Sequence, residues 1–277
     1  MIAPSGKVPG MPSGGGRSSM IEPPIGLCYT HRCIVQQLGH VRPISCRRGG
    51  MALNAPECPA GSISPGMRAY LAEIYRMGEA GPVRASALAR RLDVTVPAVV
   101  RMLNRLEPLG LIRRTRHGIV LTREGEREAL RGIRQHRILE AFLTRVLGVG
   151  WEEVHALADR LDPVVDEVLC ERMYEVAGRP THCPHGDPIP TPDGRLPPLF
   201  DVRLSEVPVG TRGRITRVKT EDPEQLRYLG SLGLVPGAAF ELIARAPFNG
   251  PLRLRLAPHD VIIGPELAQH IRVVPET

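Results

Sequence analysis

The strongest constraint on this chain is a run of prolines. Pro180, Pro184, Pro188, Pro190, Pro192, Pro197 and Pro198 crowd one short stretch. Proline fixes φ and removes a backbone donor. No helix or central strand can cross such a stretch, and residues 181–202 are expected to form a semi-rigid linker. The linker divides two unlike patterns. Before it, apolar residues recur at steps of three and four, the period of helices. After it, short apolar runs alternate with turns, as in a small β-barrel over residues 203–277. The expected fold is mainly α with a small β part.

Residues 1–65 are dense in Pro, Gly and Ser and hold no hydrophobic period. They read as a disordered leader, with Met51 and Met67 as alternative natural starts. Cys28, His31, Cys33, His40 and Cys46 there match no standard zinc spacing. The six cysteines include no Cys-x-x-Cys pair, and 277 residues can build a core without a disulfide framework. No apolar run approaches the roughly 18–20 residues that span a bilayer. A cytoplasmic protein with no membrane partner is expected.

From Met67 the pattern predicts a helix that Gly78 and Gly81-Pro82 end, then a short helix from Ser86 to Leu92. Asp93-Val94 turns the chain. Thr95 can cap a third helix with Pro97 in its first turn, where a missing N–H costs nothing. Two β-runs, Leu111–Arg114 and Ile119–Leu121, flank a four-residue turn, Thr115 to Gly118. Helix-turn-helix followed by a basic hairpin is a winged helix, placed at residues 66–122. Thr122 then caps a long helix ending at Gly148. Trp151–Leu161 forms another, and Asp166 caps a third. Residues 123–180 therefore make a helical domain.

Charge separates these modules. Residues 66–122 hold ten Arg against four acidic residues, whereas residues 123–180 are net acidic. Arg supplies 34 of the chain's 36 formal cations, and its planar fork grips phosphate and guanine in ways lysine cannot. Charge alone fits a solvated surface equally well. Shape and charge together favour DNA. Thr95, Pro97, Ala98, Arg101, Asn104 and Arg105 lie opposite the apolar face of the third helix, where a major groove would be read. Arg113, Arg114, Arg116 and His117 crowd the wing, where phosphates would pass. Val100 is a discordant apolar residue on the reading face. Aromatics at 4% give little for single-strand stacking.

A second constellation has metal-ligand chemistry. His136 and Glu140 are spaced i, i+4 and share a helix face. His155, Asp159 and Asp162 are spaced i, i+4, i+7 and share another. Two antiparallel helices can bring these faces together. Imidazole plus carboxylate suits Mn²⁺ or Fe²⁺ and also Zn²⁺. A charged solvent-facing stripe explains the same spacing. His182, Cys183 and His185 add donor types in the linker. No H-E-x-x-H is present, and no nucleophile stands beside a metal set, so an enzyme acting on a small organic substrate is not expected.

Jointly, these residues resemble the metal-dependent repressors of the diphtheria toxin repressor and manganese transport regulator family, over about residues 67–277. The resemblance is carried by Ala69-Tyr70-Leu71-Ala72-Glu73-Ile74-Tyr75, Arg90-Arg91-Leu92-Asp93-Val94-Thr95, His136-Arg137-Ile138-Leu139-Glu140, Val154-His155 with Ala158-Asp159-Arg160-Leu161, and Cys183-Pro184-His185-Gly186-Asp187-Pro188-Ile189-Pro190. The tail, clearest at Leu229–Gly237, resembles the SH3-like FeoA domain of many members. The resemblance implies a homodimeric repressor that takes Fe²⁺ or Mn²⁺ as corepressor and grips a palindromic operator. His136, Glu140 and His155 match the family's ancillary metal site, with further ligands implied near Glu221 and Glu224. Arg137 and Asp187 match positions beside an anion. The primary site departs from the pattern. Ala69 and Pro163 stand at ligand positions without a donor, leaving Asp159 and Asp162. Pro163 is also expected to push Asp162 out of helical geometry.

The reading is a metal-dependent transcriptional regulator of metal-homeostasis genes: winged helix, helical dimerisation domain, linker and C-terminal SH3-like β-barrel. Two rivals remain at this point. One is a regulator of the same family that has lost metal control. The other is a metal-handling accessory protein acting through the SH3-like domain.

Overall fold

A computed structural model describes residues 63–78 and 81–276. The leader and its Cys/His cluster lie outside the described residues, except that the first helix already begins at Pro65. Helices α1 (Pro65–Gly78), α2 (Ala85–Arg91) and α3 (Val96–Leu106) precede an antiparallel hairpin, β1 (Ile112–Thr115) and β2 (Gly118–Leu121). The Thr95 hydroxyl accepts from the Ala98 N–H and Pro97 sits in the first turn, so α3 starts where its cap dictates. The wing turn is shorter than expected. Thr115 pairs with Gly118, leaving only Arg116 and His117 at the tip. Val83 exchanges backbone hydrogen bonds with Ile119, adding a third short strand segment. Leu71, Ile74, Leu88, Val99, Leu103, Leu106 and Ile112 form the core of this winged helix. Burying each such side chain contributes roughly 1.5–3 kcal/mol.

Helix α4 (Arg123–Leu147) is the spine of the next layer and packs along α1. Thr122 caps it by accepting from Gly125 N–H. Gly125 has to be glycine, because a Cβ there would lie 1.8 Å from the Leu111 carbonyl oxygen. Helices α5 (Val154–Leu161) and α6 (Glu167–Val176) pack back on α4. Helix α5 begins three residues later than its pattern suggested, because Trp151 packs against the C-terminal core instead. Asp166 caps α6 as expected, accepting from Leu169 N–H. Asp162 keeps helical geometry despite Pro163, at φ −47 and ψ −43. Its N–H still bonds Ala158 O at 2.8 Å, and that bond outweighs the proline's steric preference.

The proline stretch contains no helix and no laddered strand, as its composition requires. It is a packed strap, however, not a spacer. Cys183, His185, Pro188, Ile189 and Pro190 are all buried. Prolines leave carbonyls without local partners, and buried carbonyls need them. Arg134 and Arg137 of α4 supply them, donating to Pro190 O at 2.9 Å and Pro188 O at 2.6 Å.

The C-terminal domain contains β3 (Val202–Arg203), β4 (Arg212–Val218), α7 (Pro223–Ser231), β5 (Ala239–Arg245), β6 (Leu252–Leu256), β7 (His259–Ile263), α8 (Pro265–His270) and β8 (Ile271–Pro275). The strands pair antiparallel in the order β3-β8-β4-β5-β6-β7. The expected closed barrel is therefore an open six-stranded sheet. Its edge strands β3 and β7 do not pair, and β3 is only two residues long. Leu226 and Leu229 of α7 and Ala268 of α8 bury against the sheet and complete its core. Helix α8 was not legible in the sequence, because six residues between two strands carry no helical period. Among the described residues, no helix is long and apolar enough to cross a membrane.

Candidate metal centre

The antiparallel pairing of α4 and α5 brings the two predicted faces together. His136 and Glu140 are buried on α4, and His155 faces them from α5. His136 Nε2 lies 3.0 Å from His155 Nδ1 and 3.2 Å from Glu140 Oε1. His155 Nδ1 lies 3.0 Å from the same Glu140 oxygen. These three atoms form a nearly equilateral triangle. Donors about 2.1 Å from a shared ion and at right angles to each other stand about 3.0 Å apart. The triangle therefore matches one face of a coordination polyhedron.

Glu221 approaches from the C-terminal domain. Its carboxylate lies 3.7 Å from His155 Nε2 and is held by Arg91 at the end of α2. Glu224 is not brought in. It is exposed in the first turn of α7, where its N–H bonds the capping Asp222. A cavity of about 480 Å³ opens beside the triangle, lined by Glu140, His155, Cys183, His185 and Glu221 among others. Cys183 and His185 converge with Glu140 as a second donor group, with ligand atoms within 4.8 Å of one another. Their Cys-x-His spacing was visible in the sequence, but their meeting with Glu140 depends on how the strap folds. Gly186 allows it. At φ +87 it brings the strap so close to β4 that a Cβ would lie 2.0 Å from Thr216 O. His182 is exposed and pairs with Thr181.

Asp159 and Asp162 lie on the other side of the His136 ring. Nδ1 of His136 is 2.6 Å from Asp162 Oδ2 and 3.7 Å from the exposed Asp159. Ala69 and Pro163 line the cavity there and offer no side-chain donor, as the sequence indicated. Arg137 and Asp187, the positions expected beside an anion, pair with each other. The Asp187 carboxylate sits between Arg137, at 3.6 Å, and Arg217, at 3.0 Å.

The electrostatics fit a site that exchanges protons for a cation. Burial opposes charge on His136, but hydrogen bonds to Asp162 and Glu140 outweigh it and push its pKa up to about 10. Burial likewise opposes ionisation of Glu140, yet hydrogen bonds from His136, His155 and His185 hold it well below the usual carboxylate range. Burial keeps the Cys183 thiol well above its ordinary value. A divalent ion here would replace protons on groups already arranged to face it. Two imidazoles and carboxylates suit Fe²⁺, Mn²⁺ or Zn²⁺.

The residues expected to read DNA lie on the surface of α3 and the wing. Arg101, Asn104 and Arg105 of α3 and Arg113, Arg114 and Arg116 of the wing are exposed, as are Thr95 and Pro97, with Ala98 partly so. Arg114 also bonds Asn104 Oδ1 at 2.6 Å and pairs with Glu107 at 3.2 Å, so it braces the wing against α3.

Comparison with known proteins agrees with this layout. Residues 122–191 match the family model described as "Iron dependent repressor, metal binding and dimerisation domain", residues 202–275 match the FeoA domain, and residues 69–118 match the MarR family. The iron-dependent repressor IdeR of Mycobacterium tuberculosis is 34% identical over 220 residues, covering 74% of this chain and 94% of that protein. The chain belongs to the iron-dependent repressor family. The diphtheria toxin repressor of Corynebacterium diphtheriae is 32% identical over 217 residues, with the same coverage of both chains. Among solved structures, a manganese-dependent transcriptional repressor in complex with manganese superposes with a TM-score of 0.71 at 33% identity, covering 76% of this chain and all of that one. The IdeR structure from T. acidophilum has a TM-score of 0.64 at 29% identity, covering 78% and 99%.

Proposed function

We propose that this protein is a homodimeric, metal-dependent transcriptional repressor in which Fe²⁺ or Mn²⁺ held by His136, Glu140 and His155 promotes binding to a palindromic operator. The observation that carries the reading is the triangle of donor atoms with 3.0–3.2 Å edges, shared between α5 and the spine helix α4 that packs against α1 of the winged helix. Family membership supports DNA as the partner, and the genes controlled are those of metal homeostasis. Glu221, and the second donor group of Cys183 and His185, are the side chains placed to complete the coordination. When bound, the ion supplies positive charge that holds these acidic and imidazole groups together. The dimer face is the exposed apolar side of α6. Val168 and Val176 of α6 are 76% and 66% exposed, and Val164 in the turn before it is 75% exposed. A second copy of the chain would cover them.

The test is fluorescence anisotropy on double-stranded DNA from the gene's own upstream region, with chelator and then with anaerobic Fe²⁺ or with Mn²⁺. Metal is expected to tighten binding by about 5–150-fold, the usual size of such coupling. The double variant His136→Ala, Glu140→Ala is expected to lose that stimulation and keep weak binding. Unchanged stimulation in the double variant sinks the proposed site. Equal binding of the wild type with chelator and with metal favours the reading in which metal control has been lost, which the missing donors at Ala69 and Pro163 motivate.

A further inference from the structure

His136 faces two sets of groups, one at each ring nitrogen. Both sets bring ligand atoms within 4.8 Å of one another: Glu140 and His155 on the Nε2 side, Asp159 and Asp162 on the Nδ1 side. One neutral imidazole has a single lone pair to offer, because its other nitrogen carries a proton. Geometry separates the two sides. On the Nε2 side, Glu140 is 4% exposed and the three donors stand at distances that fit a shared ion. On the Nδ1 side, the contact to Asp162 is 2.6 Å, a strong hydrogen bond, and Asp159 is 3.7 Å away and 61% exposed. Two of the residues lining the cavity on that side, Ala69 and Pro163, have no side-chain donor to offer.

We propose that Asp162 is a positioning residue and not a metal ligand: it holds the Nδ1–H of His136 and aims Nε2 at a single ion shared with Glu140 and His155. The remnant of one metal site thus serves the other. Hydrogen-bonded carboxylates behind ligating imidazoles fix the tautomer and strengthen the ligand, and their loss typically weakens metal binding about 10–100-fold. Helix α5 and the spine α4 hold the pair rigidly. The Asp162 N–H bonds Ala158 O, and Gln135 of α4 donates to the Asp162 carbonyl at 2.8 Å.

The inference rests on the proposed site, so the experiment separates the two. Mn²⁺ affinity and stoichiometry of the full chain are measured by following the free-ion signal in electron paramagnetic resonance. Mn²⁺ prefers oxygen and imidazole over thiolate, which limits interference from the leader cysteines. Glu140→Gln tests the site itself and is expected to abolish the tight Mn²⁺ step; an unchanged step overturns the underlying site. Asp162→Ala is expected to leave the number of bound ions unchanged and to weaken that step about 10–100-fold. Asp162→Asn, whose amide oxygen still accepts a hydrogen bond, is expected to recover part of the loss. Asp159→Asn lies at an exposed position that cannot disturb folding, and is expected to change affinity less than about threefold. If Asp162→Ala or Asp159→Asn removes one ion from the count, the aspartates hold a second metal and the proposal fails. Unaltered affinity in Asp162→Ala also overturns it. Histidine ¹⁵N spectra of the Zn²⁺-loaded protein give a readout independent of affinity. His136 is expected as the Nδ1–H tautomer, and an Nδ1-bound ion would overturn the assignment.

Discussion

Single residues in this chain are strained against their solvation more than against their geometry. Arg217 is the clearest case outside the metal centre. It is buried and donates through Nε and Nη2 to Asp201 at 2.6 and 2.7 Å, and through Nη1 to Asp187 at 3.0 Å. This triad ties the proline strap to β4 at Asp187 and again at Asp201, near its C-terminal end. Burial raises the Asp201 pKa, but the two-pronged bond from Arg217 outweighs it, so the carboxyl lies below its ordinary value. In the unfolded chain it would titrate near about 3.9. A depressed folded value means that this group's contribution to stability is fully present above the unfolded pKa. It is lost as pH falls through the folded one. Asp201→Asn is expected to lower stability at neutral pH by about 1–3 kcal/mol, since Arg217 keeps one partner. It is also expected to flatten the loss of stability below about pH 4. Urea unfolding across that range checks both, and an acid limb as steep as the wild type's assigns the titration to another group. At this scale the faces carrying His136 and Glu140, and His155, were legible as candidate donors from their spacing, which a charged solvent-facing stripe explains as well. The role of Asp162 was not, because a hydrogen bond across 26 positions leaves no local pattern.

At the scale of elements, caps and periods did most of the work. Thr95, Thr122 and Asp166 each start the helix their side chains cap, and every helix before the strap was expected within a few residues. What escaped were pieces too short to show a period: β3, α8, and the delayed start of α5, where Trp151 is claimed by another core. Helix α6 shows the converse. Its cap was legible but its surroundings were not: it buries only Cys170, while Val168, Leu169 and Val176 are exposed. Such a face needs a cover, and in the family reading that cover is the same face of a second chain. Val168→Asp is expected to leave the monomer folded, since the residue is 76% exposed, and to convert dimer to monomer at micromolar concentration. Light scattering after size exclusion gives the mass directly. A variant that stays dimeric places the interface elsewhere.

The whole molecule depends on where the domains touch, which the sequence left open. Domain order followed from the proline run and the basic segment, whereas the open sheet and the contact between reading head and C-terminal domain follow from tertiary packing. That contact is Arg91. It ends α2, the helix just before the reading helix α3. It holds Glu73 of α1 at 2.9 Å through Nε, and both oxygens of Glu221 through Nη2. Glu221 stands between Arg91 and His155, and burial is outweighed by Arg91 in keeping its carboxylate below the ordinary range. Arg91 engages both Glu221 oxygens, so for Glu221 to join the triangle it is expected to give up at least part of that pairing, and the metal and the reading head then compete for one carboxylate. Arg91→Ala removes the competitor. A half-exposed ion pair is worth about 0.2–1 kcal/mol, so Mn²⁺ affinity without DNA is expected to rise by up to about fivefold. Linkage makes the effect reciprocal: whatever factor metal contributes to DNA affinity, DNA returns to metal affinity. In the wild type, saturating operator DNA is therefore expected to tighten Mn²⁺ binding, and in Arg91→Ala to tighten it less, because Glu221 is already free. Mn²⁺ titrations of both proteins, with and without DNA, complete this cycle. Equal Mn²⁺ affinity of the two proteins without DNA would mean that Glu221 never leaves Arg91, and that the signal to the winged helix runs through the contact of α1 with α4 instead.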